Sequence, residues 1–272
     1  MQIKRHLLHD DAGNQMPFVA SPNKRSGGKP RFLIMHYTAG SSAESSITHF
    51  TRSSAKASAH LVIGRDGSIT QMVAFNQVAW HAGISRWQGI SGLNNHSIGI
   101  ELDNAGELKE TSRGWESWFG RIYPDDEVTI AAHKHIGIEA GWHNYTEAQL
   151  AAALDVSELL FDHYDLEDIL GHDDIAPERK RDPGPAFPMA HFASWLCGRM
   201  EDELPLYETT ARLNIRQGPG VEFATLREAP LTLGTQLRLE LRDASWGYVE
   251  VLDSGGEAIA TGWVHCDYIR RV

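Results

Sequence analysis

The segment from Gly171 to Pro185, Gly-His-Asp-Asp-Ile-Ala-Pro-Glu-Arg-Lys-Arg-Asp-Pro-Gly-Pro, constrains this chain more than any other. Proline fixes φ and removes a backbone donor, and glycine weakens any regular element around it. A stretch this rich in both is expected to be neither helix nor strand. It nevertheless holds His172, Lys180 and Asp182 at fixed offsets. A second piece lies far upstream, where the apolar run Phe32-Leu33-Ile34-Met35 ends in His36 and a turn containing Gly40. Imidazole and carboxylate are good zinc ligands. A catalytic zinc takes three protein ligands and keeps one position open, and His36, His172 and Asp182 make three. A nearby ammonium such as Lys180 suits charge developing on a substrate oxygen. Each piece taken alone also reads as a strand-end histidine, a capped Pro-rich loop or a surface lysine in the charged run Glu178–Arg181.

Composition narrows the class. The chain has 272 residues, 42% of them hydrophobic and 22% charged, as in an ordinary soluble globular protein of one large or two smaller domains. No apolar run approaches the roughly 20 residues that span a bilayer. The net charge of −11 argues against nucleic acid as a partner. The N-terminal residues show no secretory-type apolar core, so the expected location at synthesis is the cytoplasm. Two cysteines, Cys197 and Cys266, supply neither a disulfide framework nor a Cys-type zinc site. Histidine is the outlier, with 13 of the 14 before residue 200.

The pattern along the chain predicts an α/β protein: a mixed central sheet flanked by helices, then a small all-β barrel. Residues 1–30 read as an irregular leader, 31–200 as the main domain, 201–205 as a linker and 206–272 as the barrel. Strands are expected over 31–37, 59–64, 68–73, 97–102 and 168–170, with Arg65-Asp66-Gly67 as a hairpin turn. Helices are expected over 41–52 (Ser41 or Ser42 as N-cap), 125–140, 146–164 and 189–200.

Two further sets carry chemistry. Glu101 ends the apolar strand Ile98-Gly99-Ile100; burial there would raise its pKa toward the range of a general acid or base, whereas an edge strand would leave it facing solvent. Trp80 and His81, followed by Ala82 and Gly83, form a run suited to lining a groove. His81 and His60 read equally as structural histidines. His133 and His135, two apart, cannot share a helix face and are not a ligand pair. Trp115, Trp118 and Phe119 read either as a sugar-stacking wall or as packing.

In order, the His36 strand, Ser58-Ala59-His60 with Arg65-Asp66-Gly67, Ala79–Gly83, Ser97–Glu101 and Gly171–Pro185 resemble the zinc-dependent N-acetylmuramoyl-L-alanine amidases of the amidase-2 and peptidoglycan-recognition group, over roughly residues 31–197. The resemblance implies one zinc ion on His36, His172 and Asp182, with Glu101 as acid/base and Lys180 stabilising the oxyanion. It also implies a peptidoglycan or muropeptide substrate touched by Lys56, His60, Trp80 and His81. Asp182 as third ligand resembles the anhydro-muropeptide branch, and Lys56 stands near the place of that branch's carboxylate-binding arginine. Gly92 replaces a second basic residue of that branch, and Ala59 replaces the tyrosine of other relatives. Leu213–Gly220, Trp246–Val249 and Gly262–Val264 resemble a bacterial SH3-like module. A non-catalytic wall-recognition protein on the same fold, or a lysis enzyme delivered to the wall by a non-classical route, are the alternatives.

Overall fold

Phe32–Tyr37 is apolar nearly throughout because it is a central strand covered on both faces, the usual condition of parallel strands. It pairs in parallel with Ser97–Leu102 on one side and Asp168–Gly171 on the other. Ser97–Leu102 continues in parallel to Leu61–Ile63, and an antiparallel hairpin adds Ile69–Gln71 at the edge. The result is the expected mixed sheet of five strands. The structure is a computed structural model and describes residues 1–197, 206–243 and 245–272.

The helix Glu147–Tyr164 covers this sheet and starts where its sequence directs. Thr146 Oγ1 accepts from the Gln149 backbone N–H at 3.1 Å, and Gln149 Oε1 accepts from the Thr146 N–H at 3.2 Å, a reciprocal cap. Gln149, Ala153, Val156, Ser157 and Leu160 form its buried stripe, at the three- and four-residue spacing of one helix face. Buried Gln149 also donates to the Asp103 carbonyl at 2.8 Å, fastening the helix to the end of the Ser97–Leu102 strand. The short helix Ala43–Phe50 is capped by Ser42, and a closing helix runs over Met189–Leu196. The remainder of the helix expected to reach Met200, and the linker expected at 201–205, lie outside the described residues.

Three expectations are corrected. The leader is not irregular throughout: Gln2–Lys4 and Leu7–His9 form a hairpin, and Lys24–Ser26 pairs with Gln77–Ala79. The hairpin turns through Arg5 and His6, both at positive φ, with none of the Asn or Gly that normally announce such a turn. Its Leu8 is fully buried in the main core, which holds the hairpin in place. The helix expected over 125–140 is instead a single 3-10 turn followed by two strands, Val128–Ala132 and Glu139–His143. They join Glu107–Thr111, Gly114–Glu116 and Ile122–Tyr123 in a second, antiparallel five-stranded sheet inserted after the Glu101 strand. The β-branched run Val128-Thr129-Ile130 favours strand; it pairs with the next strand, Glu139–His143, which is in turn held by Glu107–Thr111 from outside the segment. Finally, the Gly171–Pro185 segment contains one helical turn, His172–Ile175.

The chain forms two compact units. The first comprises Met1–Ser85 and Gly92–Cys197; the second combines Arg86–Ser91 with the C-terminal residues, a division that the expected single boundary near residue 200 does not anticipate. Among its described residues the second unit is all-β apart from a 3-10 turn, with a five-stranded antiparallel sheet, the small pair Arg86–Trp87 and Ile90–Ser91, and a core of Tyr207, Ile215, Leu237, Val249, Val264 and Ile269. No helix among the described residues is long and apolar enough to cross a membrane.

Gly99, in the middle of a central strand, is required by close approach. A Cβ there would lie 2.4 Å from the His81 ring. Gly99→Ala should therefore destabilise the protein by about 1–3 kcal/mol, the usual cost of overpacking a core. Urea denaturation measures this, and a variant as stable as wild type would show that the His81 ring is free to move.

Candidate metal centre

Sheet register brings the site together. In the parallel pairing His36 lies beside Glu101, and Met35 lies beside Gly171, so the next residue, His172, emerges level with His36. Three adjacent strands thus present His36, Glu101 and His172 at their carboxyl ends, where open α/β sheets bind ligands. The Gly171–Pro185 segment then folds back, with the Asp173 N–H donating to the Asp182 carbonyl at 2.9 Å, and brings the Asp182 carboxylate to the same point.

His36 Nδ1, His172 Nδ1 and Asp182 Oδ2 form a nearly equilateral triangle, with separations of 2.9, 2.8 and 2.9 Å. Among the described residues this is the His/Cys/Asp/Glu group able to hold a metal ion, and all three members are buried. The surrounding hydrogen bonds determine where the protons sit. Ser97 Oγ donates to the Leu93 carbonyl at 2.6 Å, so it accepts from His81 Nε2 at 3.3 Å. That leaves His81 Nδ1 bare to accept from His36 Nε2 at 3.0 Å, and His36 Nδ1 is left without a proton. His172 Nε2 faces the Ala82 carbonyl, an acceptor only, at 3.1 Å, which likewise leaves Nδ1 of the neutral ring bare.

Electrostatics agree with this assignment. Burial, reinforced by His172, pulls the His36 pKa down to about 4, so the ring is neutral near pH 7. Burial pushes the Asp182 carboxyl up, but His172 and His36 beside it outweigh burial and the net shift is downward, so the group is a carboxylate. Three lone-pair donors therefore converge with no proton between them. Their mutual repulsion is relieved by a cation, and the separation is near the roughly 3.3 Å between ligands of a tetrahedral zinc. The donor set, two imidazoles and a carboxylate, fits zinc.

The triangle opens into a cavity of about 450 Å³ that is also lined by Glu101, Lys180, Trp80, His81, Ser58 and Trp118. Glu101 Oε2 is buried there and has no hydrogen-bond partner. Burial raises the Glu101 pKa well above its usual value, the Asp182 charge adds to the rise, and Lys180 opposes it. Of the expected site residues, His36, His172, Asp182, Glu101, Lys180, Trp80 and His81 meet at this cavity.

Lys56 and His60 are not in its wall. Lys56 is exposed next to the lining residues Ala57 and Ser58. His60 is fully buried, accepting from the Gly99 N–H and donating to the Gln77 carbonyl, both at 3.0 Å; its expected substrate contact is replaced by a structural one. Sequence reading missed the relay through Ser97 and His81. It also missed Arg179, which donates to the Ala82 and Ile84 carbonyls and joins the loop after His81 to the Asp182 segment. Neither has a signal in spacing, because both connect segments about 15 to 100 residues apart.

Residues 26–185, more than half of the chain, match the protein family described as N-acetylmuramoyl-L-alanine amidase. The 1,6-anhydro-N-acetylmuramyl-L-alanine amidase AmpD of Escherichia coli is 37% identical over 139 residues, 50% of this chain and 57% of the relative. The N-acetylmuramoyl-L-alanine amidase AmiD of the same organism is 32% identical over 181 residues, 63% of this chain and 55% of the relative. The chain thus spans a little over half the length of these curated relatives. A crystal structure of an AmpD derivative superimposes with a TM-score of 0.48 at 27% identity, covering 71% of this chain and 97% of the other.

The buried, neutral His60 makes a prediction about acid stability. Burial lowers its folded pKa to about 4, whereas the unfolded side chain titrates near 6.5. Between these values the unfolded state binds a proton that the folded state refuses. This contribution is therefore lost as pH falls from 6.5 toward 4, at up to about 1.4 kcal/mol per unit, and is constant above 6.5. His60→Gln should be less stable at pH 7 but lose less between pH 6.5 and 4.5. Urea midpoints across that range test this, and parallel losses in both proteins would refute it.

Proposed function

The chain belongs to the N-acetylmuramoyl-L-alanine amidase family, and from that premise we propose that it hydrolyses the amide between the lactyl group of N-acetylmuramic acid and L-alanine in peptidoglycan or its muropeptide fragments. The observation that carries this reading is the convergence of three unprotonated donors beside a buried, unpartnered Glu101 oxygen in one open cavity. The family match and the names of the relatives agree with it.

His36, His172 and Asp182 would hold a zinc ion, which when bound supplies a Lewis acid for the scissile carbonyl and lowers the pKa of water to about 7. Glu101 has the role of acid and base. With its pKa raised by burial, it takes the proton of the attacking water and returns it to the leaving nitrogen of L-alanine. Lys180, in the same wall, donates to the oxygen that gains charge as the carbonyl carbon becomes tetrahedral. His81 keeps the His36 ring in the orientation and tautomer that leave Nδ1 free. Trp80 forms part of the substrate wall, and Lys56 at its margin suits a carboxylate of the stem peptide. We read the second unit, with its five antiparallel strands and separate core, as an SH3-like module that holds the enzyme to wall polymer.

Incubation of zinc-loaded protein with sacculi and with soluble anhydro-muropeptides, followed by mass spectrometry, tests the proposal. Free stem peptides beginning at L-alanine, abolished by a chelator, are the expected products; no cleavage of either substrate would overturn it. Glu101→Gln is expected to retain about one equivalent of zinc and to lose at least about 100-fold in turnover. An unchanged rate would remove Glu101 from the chemistry. His172→Ala should lose the metal, measured as zinc content after dialysis, and full occupancy would move the ligand set elsewhere.

A further inference from the structure

Trp118 is a large aromatic side chain left 77% exposed, yet it is held in place. Its Nε1–H donates to the Ala39 carbonyl at 2.7 Å, in the loop that follows His36, and its ring meets Phe119 edge-to-face at 5.7 Å. The residue comes from the inserted sheet but lines the cavity of the metal centre. It also lines a neighbouring groove of about 980 Å³ over the inserted sheet, whose walls include Glu107, Lys109, Glu110, Trp115, Glu116 and Glu139; Glu107 is paired with Arg181, and Glu116 with Arg113 at 3.2 Å. An indole fixed through its polar edge, with most of its surface bare at the mouth of a reaction cavity, is a preformed stacking platform.

We propose that Trp118 is a specificity-determining residue that stacks against the sugar ring of the substrate, and that the glycan continues from it into the neighbouring groove. The inference rests on the amidase reading above. The C–H face of a pyranose offers the flat apolar surface that an indole binds. Carboxylates beyond it accept from sugar hydroxyls and acetamido N–H groups, and charge-assisted hydrogen bonds of this kind are strong. Glu110 and Glu139, the wall carboxylates outside those ion pairs, disfavour the stem peptide, whose glutamate and terminal carboxylates carry like charge. The sugar side of the scissile amide therefore faces the inserted sheet.

The test compares two substrates with the same scissile amide, a disaccharide-peptide and a lactyl-peptide without the sugar ring. Trp118→Ala should lower the ratio of kcat/KM for the sugar-bearing substrate over the lactyl-peptide about tenfold, mainly through KM. Trp118→Phe, which keeps a ring but cannot donate to Ala39, should recover most of that ratio. Equal losses on both substrates would mean that Trp118 only positions the loop at Ala39 or contacts peptide, and would overturn the proposal, as would no change in the ratio. If wild type cleaves neither substrate, the amidase reading fails separately. Calorimetric titration with peptide-free N-acetylglucosaminyl-N-acetylmuramic acid then decides: binding weakened about tenfold by Trp118→Ala supports the sugar platform, and no binding by wild type or equal binding by the variant overturns it.

Discussion

Everything at the site depends on the parallel register of three strands, Ser97–Leu102, Phe32–Tyr37 and Asp168–Gly171. With His36 beside Glu101 and Met35 beside Gly171, a possible ligand, a carboxylate and a second possible ligand emerge on one level from one sheet edge. Side chains alternate across a strand, so a slip of one residue would send His36 or Glu101 to the opposite face. The register is itself fixed by burial. Leu33, Met35, Ile98, Ile100 and Ile169 all belong to one core cluster, and a one-residue slip would drive His36 or Glu101 into that apolar layer. The chemistry thus rests on packing made several residues away from it.

Packing alone would leave two imidazoles with undefined protons. The sequence of donors from His36 to His81, Ser97 and the Leu93 carbonyl resolves this, because a backbone carbonyl can only accept and each partner is then forced in turn. The Ala82 carbonyl does the same for His172. Both rings present Nδ1 lone pairs toward Asp182, and burial, which disfavours the charged imidazole, keeps His36 neutral. Gly99 belongs to the same arrangement: its missing side chain admits the His81 ring, and its N–H fixes His60 behind it.

How much of this was legible in the sequence follows the distance over which each feature is determined. The buried strand before His36, the Arg65-Asp66-Gly67 hairpin and the Thr146-capped helix depend on local pattern, and the structure has all three. The inserted sheet depends on pairing Glu139–His143 with Glu107–Thr111, a partner outside the segment expected to be helical. The N-terminal hairpin depends on burying Leu8 in a core assembled from the rest of the unit. At the site, residue type and offset were enough to nominate His36, His172, Asp182, Glu101 and Lys180, which do meet. They were not enough for His60, because no local pattern distinguishes a ring facing a cavity from one facing the Gly99 backbone.

The inserted sheet shows how recognition can change without disturbing the reacting groups. It leaves the core and returns to it at nearly one point. Asn104 donates to the His143 carbonyl at 2.8 Å, the Ala105 N–H donates to His143 Nδ1 at 3.1 Å, and the His143 N–H donates to the Gly106 carbonyl at 3.0 Å. Six residues after His143, Gln149 ties Asp103 to the capped helix. The strand bearing Glu101 is therefore anchored before the insertion begins, and the helix starts just after it ends. A segment tied off in this way can vary in length and surface while the sheet edge keeps its register, the usual division between a rigid scaffold and the segments that carry specificity. Trp118 reaches back from the insertion to Ala39, only three residues beyond His36, so this contact falls at the mouth of the cavity, whereas His133 and Lys134 on Asp173 and Glu107 on Arg181 tie the insertion to the Asp182 segment. Changes at that contact should act on which substrates enter, while changes in the core sheet act on the reaction itself.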